Sequence, residues 1–327
     1  ISTKNNKKTY FEKIMEEGTA AYCFTNMYEE LVTGSGAAST AIATGSKTYL
    51  KEIGMDPKGY PTVSILDVAE SSDCVTGLIT DTKITDATPA GFYGNVIQRS
   101  MENEIARQLV MEYDIEVIMG GGAGHFVPEK KKMKETEWFQ NWPESENDST
   151  YREDSLDLIK QIKDQEYCFV NSREELQKNY PNQKKLMGLF ATGGLLARID
   201  RDDEETYQPS ITDMAKAGLT ILNNHDKNYF LMIECGRIDW ESHSNDAGAV
   251  ALAVLEMDSV LMTAYKYYQK DPENTLLVFT ADHETGGLAM SYYSTGKKIK
   301  DTLESGLVRE TSLNSLHFSN YLKLFEQ

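Results

Sequence analysis

Two sets of acidic and imidazole side chains lie in the last third of this sequence: Glu234, Asp239 and His243 as E-x4-D-x3-H, and Asp282 directly before His283. Residues four apart share a face over one helical turn, so a helix would present Asp239 and His243 together. A carboxylate oxygen and an imidazole nitrogen suit zinc, at roughly 2.0–2.2 Å from each ligand atom. An extended strand would point Asp282 and His283 apart, whereas a loop at a strand end can converge them. Any one of these residues alone is more simply a cap or a hydrogen-bonded structural group. Two such sets, each following an apolar run, read together as a two-metal site, where paired ions stabilise attacking and leaving oxygens.

A candidate nucleophile stands far upstream, in VTGSGAASTAIATGSKTY (residues 32–49). Gly34 and Gly36 bracket Ser35, the pattern of a tight turn that lifts one hydroxyl clear of the backbone. The small residues that follow predict a thin helix able to pack closely, with unpaired N–H groups near Ser35 that favour an anion. The plainer reading is a flexible loop or a packing helix. Arg99 ends the segment DATPAGFYGNVIQR, roughly three helical turns beyond Pro89 if that segment is helical. A guanidinium can clamp a phosphoryl group with two parallel hydrogen bonds. Taken alone, Arg99 is better read as a solvated surface residue.

The elements that must position these groups follow from hydrophobic patterning. Val75–Thr80, Glu116–Met119, Tyr229–Ile233 and Thr275–Thr280 read as buried strands. Val63–Ser71, Glu102–Tyr113, Ile211–Asn223 and Ala247–Gln269 read as helices. Strand and helix alternation over this length predicts an α/β fold, a three-layer sandwich around a largely parallel sheet. In such folds ligands gather beyond the carboxyl ends of the strands. The segments following the four apolar runs are DTKITDATPA, GGGAGH, ECGRIDWESH and ADHETGG. All four of these strand ends therefore carry acidic residues or histidines, and three of them carry carboxylates. The glycines 120–122 read as a strand-end turn, because no acidic residue stands where a dinucleotide fingerprint needs one. The stretch 127–185 is rich in Lys, Glu, Asp and Asn and reads as a surface insertion in a single domain spanning 1–327.

The net charge of −18 argues against nucleic acid and anionic membranes as partners. It also requires metals or a local Arg to reverse the sign at a site for an anion. No apolar run is read as membrane-spanning, and the absence of Met at position 1 is read as removal of a leader or more. Cys23, Cys74, Cys168 and Cys235 form no CxxC pair, which argues against a zinc ribbon or disulfide framework.

From about Val32 to Met290 the sequence resembles the alkaline phosphatase family. VTGSGAASTA is similar to the family's nucleophile signature, V-T-D-S-A-A-S-A-T-A, and implies Ser35 as nucleophile. DATPA, with Arg99 eleven residues after Thr88, is similar to the segment that binds phosphate. Asp86 and Trp240 are added as substrate-binding candidates. The resemblance implies magnesium at Thr88 and Glu234, one zinc at Asp239 and His243, and a second at Asp282 and His283. It further implies hydrolysis of phosphate monoesters through a phosphoserine, with two zinc ions and one magnesium as cofactors. A homodimer located in the periplasm or secreted is also implied, with inorganic phosphate as product.

The sequence departs from the family in three places. Gly34 replaces an Asp that steadies the Arg. No Asp-Gly-Met or Asp-Gly-Ala segment occurs in 1–30, and His317 lies in SLNSLHFSNYLKLF, an expected amphipathic helix rather than the family's last zinc segment. The expectation is a chain clipped at both ends relative to its gene, with weak zinc binding and little turnover. The competing readings are a catalytically silent phosphate- or metal-binding relative, and a phosphodiesterase or sulfatase cousin on the same fold. A sulfatase needs a C/S-x-P-x-R frame, which none of the eight prolines provides.

Overall fold

The computed structural model describes residues 8–129, 131–143, 146–201 and 206–287. Five strands form one sheet: β1 (Val75–Lys83), β2 (Val117–Gly121), β3 (Cys168–Val170), β4 (Leu186–Leu189) and β5 (Tyr229–Glu234). Their order is β3-β4-β2-β1-β5, and every pairing is parallel. β1 is central and buried nearly throughout, which explains its continuous apolar character. Among the described residues β5 is one edge strand and β3 the other, and all six residues of β5 are half-buried.

Ten α-helices accompany the sheet among the described residues: α1 (Tyr10–Glu17), α2 (Ser35–Thr44), α3 (Ile65–Ser71), α4 (Ala87–Ala90), α5 (Glu102–Met111), α6 (Leu158–Asp164), α7 (Arg173–Asn179), α8 (Ile211–Asn223), α9 (Arg237–His243) and α10 (Ala247–Tyr268). Local chemistry sets several of their starts. Thr9 with Glu12, Ser64 with Asp67, and Ser210 with Asp213 each form a reciprocal capping box. Two buried clusters flank the sheet, one containing Leu78, Ile105 and Ile118, the other Ile79, Met119 and Met214. These clusters make the predicted layers.

The strands β1, β2 and β5 and the helices α3, α5, α8 and α10 coincide with the predicted runs to within a few residues. Three expectations are corrected. Thr275–Thr280 joins no strand ladder among the described residues; it runs without regular structure, with Leu276 87% and Val278 70% exposed. The segment leading to Arg99 is helical only over α4, and turns then carry it to an isolated bridge between Ile53 and Val96. The backbone N–H of Arg99 donates to Lys51 O at 2.7 Å, which fixes its position without a long helix. Finally, α10 has 22 residues and is long and apolar enough, by length and composition, to cross a membrane. In this structure it packs on α8, α9 and α1.

The polar stretch 127–185 supplies the edge strand β3 and buries Val127, Phe139, Trp142 and Ile159 in the cluster that holds Leu78 and Ile118. Its polar composition is a solvated outer face over an apolar interior.

Candidate active site

Ser35 is the first residue of α2 and follows Gly34, whose backbone is extended (φ −134°, ψ 164°). No side chain caps this helix start, so its first N–H groups point past Ser35 toward an anion position. The smallness of α2 has a packing cause. Gly36, Ala37, Ala38, Ser39, Thr40 and Ala43 are buried. A Cβ added at Gly91, just after α4, would sit 2.5 Å from Ser39 Oγ. Ser39 Oγ donates to Ala87 O at 2.9 Å, joining α2 to α4. The thin helix thereby brings Ser35 beside the DATPA segment.

Ser35 Oγ lies 3.0 Å from Nε2 of His283, 248 residues away. His283 Nδ1 is 2.9 Å from the carbonyl oxygen of Glu284, which can only accept, so Nδ1 carries a proton. In the neutral ring Nε2 is then an acceptor, and the Ser35 hydroxyl donates to it. Asp282 Oδ2 also stands 3.2 Å from Nε2. Three electron-rich atoms converge there, and a proton or a cation must lie among them.

Asp239 and His243 share one face of α9, with Oδ2 and Nε2 3.6 Å apart. Two ligands of one tetrahedral zinc are separated by roughly 3.3–3.6 Å, given metal–ligand lengths of roughly 2.0–2.2 Å. The Asp239/His243 separation falls within that range, and the 3.2 Å between Asp282 Oδ2 and His283 Nε2 lies just below it. Among the described residues, no group of three His, Cys, Asp or Glu side chains converges to complete a zinc tetrahedron. His317 lies outside the described residues. The start of α9 is tied to the sheet by Asp81, whose Oδ1 accepts the Arg237 backbone N–H at 3.1 Å. Burial pushes the Asp81 carboxyl up to about 7, against the pull of that N–H.

The Thr285 hydroxyl joins the two pairs. Its Oγ1 donates to Asp239 Oδ1 at 2.5 Å and lies 3.2 Å from His283 Nδ1. The sequence reading missed Thr285, because a lone Thr after an acidic pair carries no spacing signal.

Glu234, at the end of β5, accepts hydrogen bonds from Thr80 Oγ1 at 2.5 Å and Thr82 Oγ1 at 3.1 Å. Burial pushes its carboxyl up to about 8, opposed by the hydroxyls of Thr80 and Thr88. Thr88 and Glu234, the predicted magnesium pair, are thus brought together. A carboxyl ringed by hydroxyl oxygens is an all-oxygen donor set of the kind a hard divalent cation takes. Asp86 Oδ1 meets Arg99 Nη2 at 2.6 Å, so Arg99 is restrained despite Gly34. The Arg237 guanidinium lies over the Trp240 ring, which packs close to Gly194. Gly121 and Gly122 form the expected strand-end turn: a Cβ at Gly121 would lie 2.0 Å from Gly193 O, and Gly122 has φ +89°.

A parallel α/β sheet accompanied by a serine at an open helix start, an arginine–aspartate pair and two Asp/His pairs defines a narrow class of proteins. The alkaline phosphatase family model matches residues 2–317, and the chain belongs to that family. It is 35% identical over 282 residues to the repressible alkaline phosphatase of Saccharomyces cerevisiae, covering 82% of this chain and 48% of that protein. To alkaline phosphatase 4 of Bacillus subtilis it is 33% identical over 264 residues, covering 79% and 50%. The crystal structure of Thermus thermophilus alkaline phosphatase superposes with a TM-score of 0.72 at 30% identity, over 83% of this chain and 52% of that one. A mutant alkaline phosphatase of the Antarctic bacterium TAB5, solved with magnesium bound, gives 0.71 at 25% identity, over 87% and 73%. The chain spans about half the length of the curated relatives it matches.

Proposed function

We propose that this chain carries the nucleophile, the phosphoryl clamp and part of the metal-binding apparatus for hydrolysis of phosphate monoesters. The observation that carries the reading is the approach of Ser35 Oγ to His283 Nε2 at 3.0 Å, at the open start of α2. Ser35 Oγ would attack phosphorus, forming a serine–phosphate bond as the ester oxygen leaves. Water then breaks that bond and releases inorganic phosphate. Arg99 would hold two non-bridging oxygens, while Asp86 keeps the guanidinium in place. The first N–H groups of α2 add fixed dipoles aimed at the same anion, a preorganised stabilisation of developing charge.

Asp282 and His283 would hold one zinc, Asp239 and His243 the other, and Thr88 with Glu234 a magnesium. When bound, these ions supply Lewis acidity that favours ionised serine and offsets charge on the leaving oxygen. Trp240 would line the substrate approach. The same reading takes the chain as one alkaline phosphatase-like domain that acts as a homodimer, periplasmic or secreted, on small phosphate esters.

The test is to trap a phosphoenzyme at acid pH with a labelled phosphate ester, with zinc and magnesium supplied. Label should reside on Ser35 and vanish in Ser35→Ala. Label persisting in that variant would sink the assignment of the nucleophile. A chain that binds phosphate and zinc but never acquires label would instead be the silent relative.

A further inference from the structure

Among the described residues no strand ladder holds the loop that carries Asp282 and His283, because Thr275–Thr280 runs without regular structure and is mostly exposed. Two contacts tie this loop to α9 instead. One is the Thr285 hydroxyl between Asp239 Oδ1 and His283 Nδ1. The other is the backbone at Gly286, where φ is +75° and a Cβ would lie 2.2 Å from Ser242 O. Gly286 is thus a place of close backbone approach, and it puts the neighbouring Thr285 side chain against the acidic face of α9.

The direction of the Thr285 bonds follows from the donors available. Asp239 Oδ1 can only accept, so Thr285 donates its single proton there. Nδ1 of His283 carries a proton, shared with Glu284 O, and the Thr285 oxygen lone pair receives part of it. The chain of contacts runs His283 Nδ1–H to Thr285 Oγ1–H to Asp239 Oδ1. It leaves Asp239 Oδ2 turned toward His243 and His283 Nε2 turned toward Ser35. One hydroxyl therefore sets the orientation of a side chain from each predicted metal pair.

We propose that Thr285 is a positioning residue that latches the loop carrying Asp282 and His283 to α9, and orients Asp239 and His283 for the separate cation that each would help to hold. The metal part of this inference rests on the function proposed above; the latch does not. Groups that hold a metal ligand from behind typically contribute 10–100-fold to metal affinity.

The experiment compares Thr285→Val, which keeps the shape and loses the hydroxyl, with Thr285→Ser, which restores it. In the metal-free 327-residue chain, amide hydrogen exchange over residues 282–287 should quicken by about 10-fold or more in the Val variant, and return in the Ser variant. Zinc affinity, measured by competition with a chromogenic chelator, should fall about 10–100-fold in the Val variant and by less than about 3-fold in the Ser variant. Asp239→Asn serves as the control for zinc binding. Exchange unchanged in Thr285→Val, or not restored by Ser, overturns the latch. Zinc affinity lowered by Asp239→Asn but untouched by Thr285→Val overturns the orienting role. A wild-type chain that binds no zinc overturns the metal reading and the orienting role with it, while exchange still decides the latch.

Discussion

Arg99 and Asp86 meet through a single contact, Nη2 to Oδ1 at 2.6 Å, at the end of the turn-rich path that follows α4. The carboxylate holds the guanidinium and also neutralises part of the charge offered to phosphate. The pair is partly solvated, with the Arg99 side chain 36% exposed, so its strength is at most about 1 kcal/mol. Asp86→Asn should therefore tighten binding of inorganic phosphate by up to about 5-fold, read by calorimetry with zinc and magnesium present. Weaker binding in that variant would mean that Asp86 acts by ordering Arg99 rather than by tempering its charge. Gly34→Asp should change phosphate binding less than Asp86→Asn does, because Arg99 already has its carboxylate.

Gly91→Ala tests why α2 is so thin. The backbone at Gly91 is right-handed helical (φ −57°, ψ −19°), so conformation alone would accept alanine. The new Cβ, however, would fall 2.5 Å from Ser39 Oγ and 2.6 Å from its Cβ. Overpacking of this kind costs about 1–3 kcal/mol. A urea midpoint unchanged or raised in the variant would show that α2 and α4 separate freely.

Acid stability should depend on Glu102. Burial alone would raise its carboxyl, but His125 and Lys83, in contact with it, bring it down to about 2. A depressed folded value means stability present above the ordinary carboxylate range and lost as pH falls toward about 2. In Glu102→Gln, the fall in stability between about pH 4.5 and 2 should flatten, as followed by chemical denaturation at each pH. An unaltered slope there would remove Glu102 from the acid response.

Zinc should bind this 327-residue chain weakly and below two equivalents. Each Asp/His pair offers two protein donors, where a catalytic zinc takes three and keeps one open position. Elemental analysis after dialysis against micromolar zinc is the measurement. Two retained equivalents with brisk turnover of a chromogenic phosphate ester would show that further ligands are present, with His317 first to examine.

The three apolar runs that became β1, β2 and β5 were legible because buried parallel strands are apolar on both faces. Cys168–Val170 was not legible, since three residues flanked by polar chain carry no period. Leu186–Leu189, nearly as short, was not legible as a strand either. Thr275–Thr280 reads as a strand by composition, yet a ladder also needs a neighbour, and patterning says nothing of neighbours. The catalytic candidates were legible by type and by their place after apolar runs. Their couplings were not: Ser35 to His283 and Thr285 to Asp239 join elements remote in sequence. Hydrogen bonds of that range are set by the packed fold.

The outer margin of β5 has a practical consequence for the material itself. Alternate residues of the six there offer backbone donors and acceptors with no strand beside them among the described residues. Such margins recruit extended segments from other molecules. Recombinant preparations should accordingly be sensitive to concentration: dilute assay samples would hold separate chains, while the millimolar stocks wanted for spectroscopy would drift toward self-association. Any titration on this chain is best run at matched concentration, with light scattering recorded alongside.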